Sequence, residues 1–234
     1  MPTLLPALLF AALASAPPSP SSGAALPDRS VHPPKPGCPG AAAVVTAPRT
    51  RILAALRRDE PACEWCGAAE APSRLSWAVR LADHTERGEP LVLTGRVLRA
   101  DGRTPAAGVL LYLYQTNAAG VYPRRGDETG NGRRHGYLRG WLRTDAQGRY
   151  CVATIRPGHY PGRLDPAHVH ATVQEPGGPE GYIDDFVFEG DPRVTPTYRT
   201  QVRNRGGSGI VRLTRGPDGV WRGERTIVLR DVGR

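Results

Sequence analysis

The chain has 234 residues, with 28 glycines, 24 prolines and a formal net charge of +9. That length suits one ordinary domain with tails, and the Gly and Pro content argues against a helical bundle. The charge is nearly all arginine, Lys35 being the only lysine. It is scattered rather than gathered into the stripe that marks a nucleic-acid-binding face, so no nucleic-acid partner is expected.

Residues 1–25 read as a signal peptide. Leu4–Ala14 is apolar but too short to span a bilayer, and Ala14-Ser15-Ala16 has the small-x-small spacing of a cleavage site. Cleavage is expected after Ala16 or after Ala25. No other long apolar run follows, so the expectation is no membrane span and a soluble protein, secreted or periplasmic. Residues 26–72 read as a flexible leader rich in Pro, Ser, Gly and Ala, then a short helix and a Cys-rich segment. The helix has Ile52, Leu53 and Leu56 on one face and Pro61 as its stop. The four cysteines, Cys38, Cys63, Cys66 and Cys151, favour disulfides in an exported chain, with three pairings open. Cys63-x-x-Cys66 is alternatively half a zinc site or a redox pair, but no second Cys-x-x-Cys and no βαβ pattern completes either.

Over residues 73–234 the period changes to two. Leu75, Trp77, Val79 and Leu81 alternate as on a half-buried strand. Further strands are expected in PLVLTGRVL, AGVLLYLYQTN, GYLRGWLR, GRYCVATI, AHVHATVQE and YIDDFVFEG, with a closing hairpin around Pro217-Asp218-Gly219. Asp101-Gly102, Ala118-Ala119-Gly120 and Gln147-Gly148 supply turns. Short strands at regular spacing predict an all-β fold, an antiparallel β-sandwich with a short N-terminal helical or loop extension.

Strand alternation also places chemistry. His168 and His170 point to one face, with Ala167 and Val169 on the other. Paired imidazoles suit zinc, copper, iron or nickel. Tyr160 lies in the loop just before this strand, and Tyr122 just past the end of another. Phenolate is a hard, anionic oxygen donor, and two of them with hydroxide cancel the charge of Fe(III). Zinc or copper has no need of two tyrosines.

LYLYQTNAAGVY, GWLRTDAQGRYCVATIRPGHYP, PAHVHATV and FVFEGD, in this order, resemble the blocks of intradiol ring-cleavage dioxygenases, the catechol 1,2- and protocatechuate 3,4-dioxygenases. The resemblance runs from about Leu91 to Asp191. CEWCG with the leader resembles the exported branch of that family. The resemblance implies a β-sandwich holding a mononuclear, non-haem Fe(III) through Tyr122, Tyr160, His168 and His170, Tyr160 being the ligand that leaves when substrate binds. It implies a catecholic small molecule and O2 as reactants. The catechol binds iron through both oxygens, and hydroxide and the released Tyr160 take its two protons. Oxygen is then inserted between the hydroxyl-bearing carbons to give a muconate-type diacid.

Four features depart from the family. Asp165 stands where the family commonly has an arginine, in a block like RPAHIH. Asp185 replaces a common glutamine, and Tyr114 a common tryptophan. Only seven residues separate Tyr160 from His168, which shortens a loop and opens the site. Arg163 is the candidate to restore the missing cation. Asp165 and Asp185 are candidate proton acceptors, or partners of a different substrate hydroxyl, and buried side by side they share a proton. The alternative is that Asp165 caps the turn and Asp185 faces solvent. Tyr114, Asp165 and Asp185 are the candidate substrate contacts.

Three functions compete on these grounds: an exported dioxygenase, an iron-containing catechol-binding protein with weak or no turnover, and a metal-free sandwich that binds carbohydrate or protein. With a single short helix available for N-terminal pairing, a monomer or homodimer is expected.

Overall fold

The computed structural model describes residues 65–230 without a break, together with Cys38, Ala42–Ala43 and Val232. The expected signal peptide and the helix around Ile52, Leu53 and Leu56 lie outside the described residues.

Two sheets pack face to face. The first contains β1 (Ala42–Ala43), β2 (Ala78–Arg80), β3 (Pro90–Leu98), β6 (Arg149–Ile155), β11 (Leu213–Arg215) and β12 (Trp221–Val228), in the order β1-β2-β6-β3-β12-β11. The second contains β4 (Leu110–Gln115), β5 (Arg139–Arg143), β7 (His168–Gln174), β8 (Glu180–Tyr182), β9 (Phe186–Phe188) and β10 (Ile210–Val211). Its order is β10-β9-β7-β4-β5, with β8 on β7. Alternation fills the space between them: Leu91, Leu93 and Val97 of β3 and Val152 of β6 meet Leu111, Leu113, Val169, Ala171 and Phe186 from the second sheet. The expected sandwich is the architecture observed.

Its sheets are not uniformly antiparallel. β12 lies parallel to β3 over eight residue pairs, and β2–β6, β1–β2 and β9–β10 are parallel as well. Parallel neighbours cannot be joined by a tight hairpin, so these pairs are made by segments that cross between layers. The Gln147-Gly148 turn is one such crossing, because it joins β5 of the second sheet to β6 of the first. The Pro217-Asp218-Gly219 turn does close an antiparallel hairpin, β11–β12.

The segment read as a leader is fastened to the sandwich. Cys38 is disulfide-bonded to Cys151 on β6, and Ala42–Ala43 pair with Val79–Arg80 of β2. A two-residue strand has no periodicity to read, which hides it in a Pro- and Ala-rich stretch. Cys38 packs with Ala78, Cys151 and Ala153, covering the outer side of β6. Cys66 is also disulfide-bonded. Among the described residues helical structure is slight: a 3-10 turn (Ala68–Glu70), α1 (Gly132–His135) and α2 (Pro196–Gln201), the last capped by the Thr195 hydroxyl. Among the described residues, no helix is long and apolar enough to cross a membrane.

Candidate metal centre

The ladder between β4 and β7 pairs Tyr114 with His170. Paired residues share a face, as do i and i+2, so Tyr114, His168 and His170 all lie on the outer face of the second sheet. Val169 and Ala171, between and beyond the histidines, fill the core.

Two loops bring the tyrosines to this face. The β4 strand ends at Gln115, whose side chain donates to the Ile155 carbonyl at 2.9 Å and accepts from the Thr154 hydroxyl at 2.9 Å. The ends of β4 and β6 are thus clamped together. Beyond them, Gly158 N donates to the Asn117 carbonyl at 2.8 Å and the Thr116 hydroxyl to the Gly158 carbonyl at 2.9 Å. Gly120, at φ +80°, lets the loops touch: a Cβ there would sit 1.7 Å from the His159 carbonyl oxygen. Tyr122 follows in one loop and Tyr160 in the other.

Four donor atoms converge. The Tyr122 and Tyr160 hydroxyls are hydrogen-bonded to each other, Tyr160 Oη lies 3.0 Å from His170 Nε2, and His168 Nε2 lies 3.0 Å from His170 Nε2. The tautomers follow from the far side of each ring. His168 Nδ1 is 2.6 Å from the Pro166 carbonyl, which only accepts, so Nδ1 carries the proton. His170 Nδ1 donates to Asp185 Oδ1 at 2.9 Å. Both Nε2 lone pairs therefore face the cluster. Two lone pairs 3.0 Å apart repel unless a cation sits by them, and orientation by a carbonyl and a carboxylate is the usual support of metal-ligating histidines. Two hard phenol oxygens and two imidazoles fit Fe(III). His168, His170 and Asp185 also place one donor atom each within 4.8 Å of one another. His170, however, turns Nδ1–H to Asp185 and Nε2 to the tyrosines, so the carboxylate orients the ligand from behind.

Burial governs the electrostatics of the pocket. Burial first, then the hydrogen bond to Tyr160, pushes the Tyr122 phenol well above its ordinary range. Burial raises Tyr160 too. Burial and then the neighbouring His170 lower His168, keeping it neutral. Burial alone would raise the Asp185 carboxyl, but His170, His168 and Arg225 hold it below the usual carboxylate value.

The other expected site residues are distributed as follows. Asp165 and Asp185 do not form a proton-sharing pair, because each has its own partner. Asp185 holds His170, whereas Asp165 pairs with Arg163 at 2.9 Å on the exposed rim. Arg163 reaches the site only as far as the Tyr160 ring, 5.5 Å from its centroid. Tyr114 is 1% exposed and serves as floor rather than open contact: its ring stacks on His170 at 4.5 Å and on His135 at 3.7 Å. A cavity of about 450 Å3 opens over these groups, with Tyr122, Tyr160, His168 and Asp165 in its walls.

Three contributors escape sequence reasoning. His135 is buried, accepts or donates at Nδ1 to the Tyr112 hydroxyl at 2.8 Å, and is lowered to about 4, mainly by burial. Trp65 stacks over His170 at 6.1 Å. Asp191 supports two loops of the site at once. Only Asp191, closing the FVFEGD block, carries a sequence signal; the positions of Trp65 and His135 depend on segments folding back over the second sheet.

A family model described as Dioxygenase matches residues 68–206, more than half the chain. The protocatechuate 3,4-dioxygenase beta chain of Burkholderia cepacia is 35% identical over 111 residues, 45% of this chain and 47% of that protein. Catechol 1,2-dioxygenase 2 of Acinetobacter lwoffii is 30% identical over 149 residues, 51% of this chain and 52% of that protein. The chain spans about half the length of the curated relatives it matches. Among solved structures, the dioxygenase domain of a dioxygenase carbohydrate-binding protein fusion from Streptomyces sp. SirexAA-E shares the fold. Its TM-score is 0.50 at 24% identity, over 86% of this chain and 99% of that one. The chain belongs to the intradiol ring-cleavage dioxygenase family.

Proposed function

We propose that the protein is an exported intradiol dioxygenase that opens catechol-type rings between the two hydroxyl-bearing carbons with O2. Its Fe(III) is held by Tyr122, Tyr160, His168 and His170. The observation that carries this reading is the convergence of two phenol oxygens and two Nε2 lone pairs at the wall of one cavity. Bound Fe(III) supplies Lewis acidity and a template that gathers the reactants.

The protein's own groups do the rest. Tyr160 lines the cavity, and its hydroxyl lies 3.0 Å from His170 Nε2. Because burial raises its proton affinity, a Tyr160 phenolate is a base placed to take a proton from a catechol hydroxyl. Asp185 and the Pro166 carbonyl keep both imidazoles in the ligating tautomer. Trp65 and Tyr114 both stack on His170 and hold its ring in place. The Arg163–Asp165 pair replaces a bare cation at the rim with a neutralised one.

The test is iron analysis with an optical spectrum before and after catechol in air, and identification of the product. The loaded protein is expected to be wine-red from tyrosinate-to-iron charge transfer and to yield a ring-opened diacid. Protein that stays colourless after refolding with iron rejects the ligand set. A spectral change without ring-opened product favours the catechol-binding alternative. Export is supported by the apolar N-terminal run and by the Cys38–Cys151 disulfide. It is tested by N-terminal sequencing of protein recovered from outside the cytoplasm.

A further inference from the structure

Beside the cavity that faces Tyr122, Tyr160 and His168 lies a second, of about 350 Å3. The two share Trp65, Asp185 and Tyr198 in their walls and meet at His170, so they are chambers of one cleft. Each alone falls in the range of roughly 300–1,000 Å3 that holds a drug-sized ligand. A single ring with two hydroxyls leaves the second chamber empty.

That chamber has a chemistry of its own. Tyr182, Tyr198, Gln201 and Arg203 line it, and none of their side chains hydrogen-bonds to another described residue. Its carboxylates are already committed: Asp184 accepts Asn204 N at 2.6 Å and Asp185 accepts His170 Nδ1. Burial, then Asp185 and Asp184, push the Tyr198 phenol up to about 12, so its hydroxyl stays a donor. Of the cations at the chamber, Arg203 in its wall is exposed, and Arg205 lies 4.3 Å over the Tyr182 ring, behind that wall. Trp65 stands at the junction, 45% exposed, with its ring stacked over His170. Its loop is held in place: Gly67 and Ala68 N both donate to the Glu180 carboxylate, at 2.9 and 2.8 Å, and Trp141 Nε1 donates to the Gly67 carbonyl at 2.7 Å.

Resting on the function given above, we propose that the second chamber is a substrate subsite. It takes catechols that carry a neutral, hydroxylated second ring, which passes between Trp65 and Asp185 and rests among Tyr182, Tyr198 and Gln201. An aromatic group matches the tyrosine and tryptophan walls. Its hydroxyl hydrogen-bonds the half-buried Tyr182 and Tyr198 hydroxyls, which a bare ring leaves without a ligand partner. A carboxylate in the same place meets Asp184 and Asp185.

Calorimetry without oxygen on the iron-loaded full chain tests this with catechol, 4-(4-hydroxybenzyl)catechol and 4-(4-carboxybenzyl)catechol. The hydroxybenzyl ligand is expected to bind at least roughly tenfold more tightly than catechol, and the carboxylated one to lose most of that gain. Val202→Trp fills the chamber from its wall and is expected to erase the difference between hydroxybenzyl ligand and catechol. Gln201→Phe is a second plug should the first variant not fold. Equal affinities in the wild type, or an advantage that survives the plugs, overturns the subsite. Catechol that neither binds nor is opened in air rejects the dioxygenase reading itself, a separate outcome from catechol opened normally with no preference for the second ring.

Discussion

His159 Nε2 and Asp191 Oδ2 lie 2.8 Å apart, and the same carboxylate oxygen accepts Ala167 N at 3.0 Å. Asp191 thereby ties the loop of Tyr160 to the start of the strand that carries His168. Its other oxygen accepts Arg193 N at 2.8 Å, and its side chain is 5% exposed. Asp191→Ala leaves these donors unpaired and is expected to cost about 1–3 kcal/mol in urea denaturation at neutral pH. Burial by itself raises the Asp191 carboxyl, but the Arg193 and Ala167 amides and His159 hold it below the ordinary value. A depressed carboxylate stabilises fully above its unfolded pKa of about 3.9 and loses that contribution as pH falls through the lower folded value. The wild type is therefore expected to lose stability on acidification below about pH 4, and Asp191→Asn, with nothing to titrate, to lose less over the same interval. Parallel acid limbs for the two proteins refute this role.

Gly120 and Gly162 separate two effects of a left-handed glycine. Both have positive φ, +80° and +71°, but a Cβ on Gly162 meets nothing within 4 Å, whereas one on Gly120 overlaps the His159 carbonyl. Gly162→Ala is expected to cost only the backbone term, about 1–2 kcal/mol. Gly120→Ala must also push apart the loops of Tyr122 and Tyr160, so it is expected to cost more and to lower bound iron. Similar melting temperatures and iron contents for the two variants exclude the loop contact as a determinant of the site.

Asp185 orients His170 through Nδ1, and so bears on any metal held at Nε2. Asp185→Asn retains an acceptor for that proton and loses the charge, while Asp185→Ala loses both. Supporting groups of this kind are worth roughly 10–100-fold in metal affinity. Competition with a chelator is expected to place Asp185→Ala in that range and Asp185→Asn nearer the wild type. An alanine variant with unchanged affinity contradicts the orienting role.

Local periodicity accounts for what is legible in the sequence. His168 and His170 declare a shared face because the strand period is two, and Gly/Pro punctuation outlines the strands of a sandwich. Tyr122 and Tyr160 sit in loops, where no period helps, and they stand out through their places beside strand ends, their phenolate chemistry and the blocks around them. Parallel pairing of β12 with β3 depends on a crossing between layers, which leaves no local trace. The β4 strand, LLYLYQ, is buried throughout. Such an unbroken apolar run signals cover on both faces, yet it does not say that Gly67 and His135 provide the outer cover. Asp165 reads as a replaced cation, but its pairing with Arg163 is a contact that spacing alone leaves open.

Arg225 is the charge inside the sandwich, 4% exposed, in the inward phase of β12 with Gly223 and Ile227. Its guanidinium donates to the Asp184 carbonyl at 2.7 Å and to the Arg205 and Gly207 carbonyls at 3.4 and 3.3 Å, and it lies 4.6 Å over the Phe186 ring. The first sheet thus anchors the backbone just before Asp185, and through it His170. Arg225→Met removes a charge that is costly to bury, but it leaves the carbonyls without donors. Replacing only one side of a buried polar arrangement leaves the other side's desolvation uncompensated, so the loss dominates, by about 3 kcal/mol. Arg225→Lys keeps the charge but lacks the reach and planar spread of the guanidinium, and is expected to recover only part of it. Bound iron per folded molecule is the deciding readout. It is expected to fall in Arg225→Met below that of Val97→Ala, a core truncation that removes no hydrogen bond to Asp184, compared at equal stability. Equal iron in the two variants reduces Arg225 to a purely structural residue.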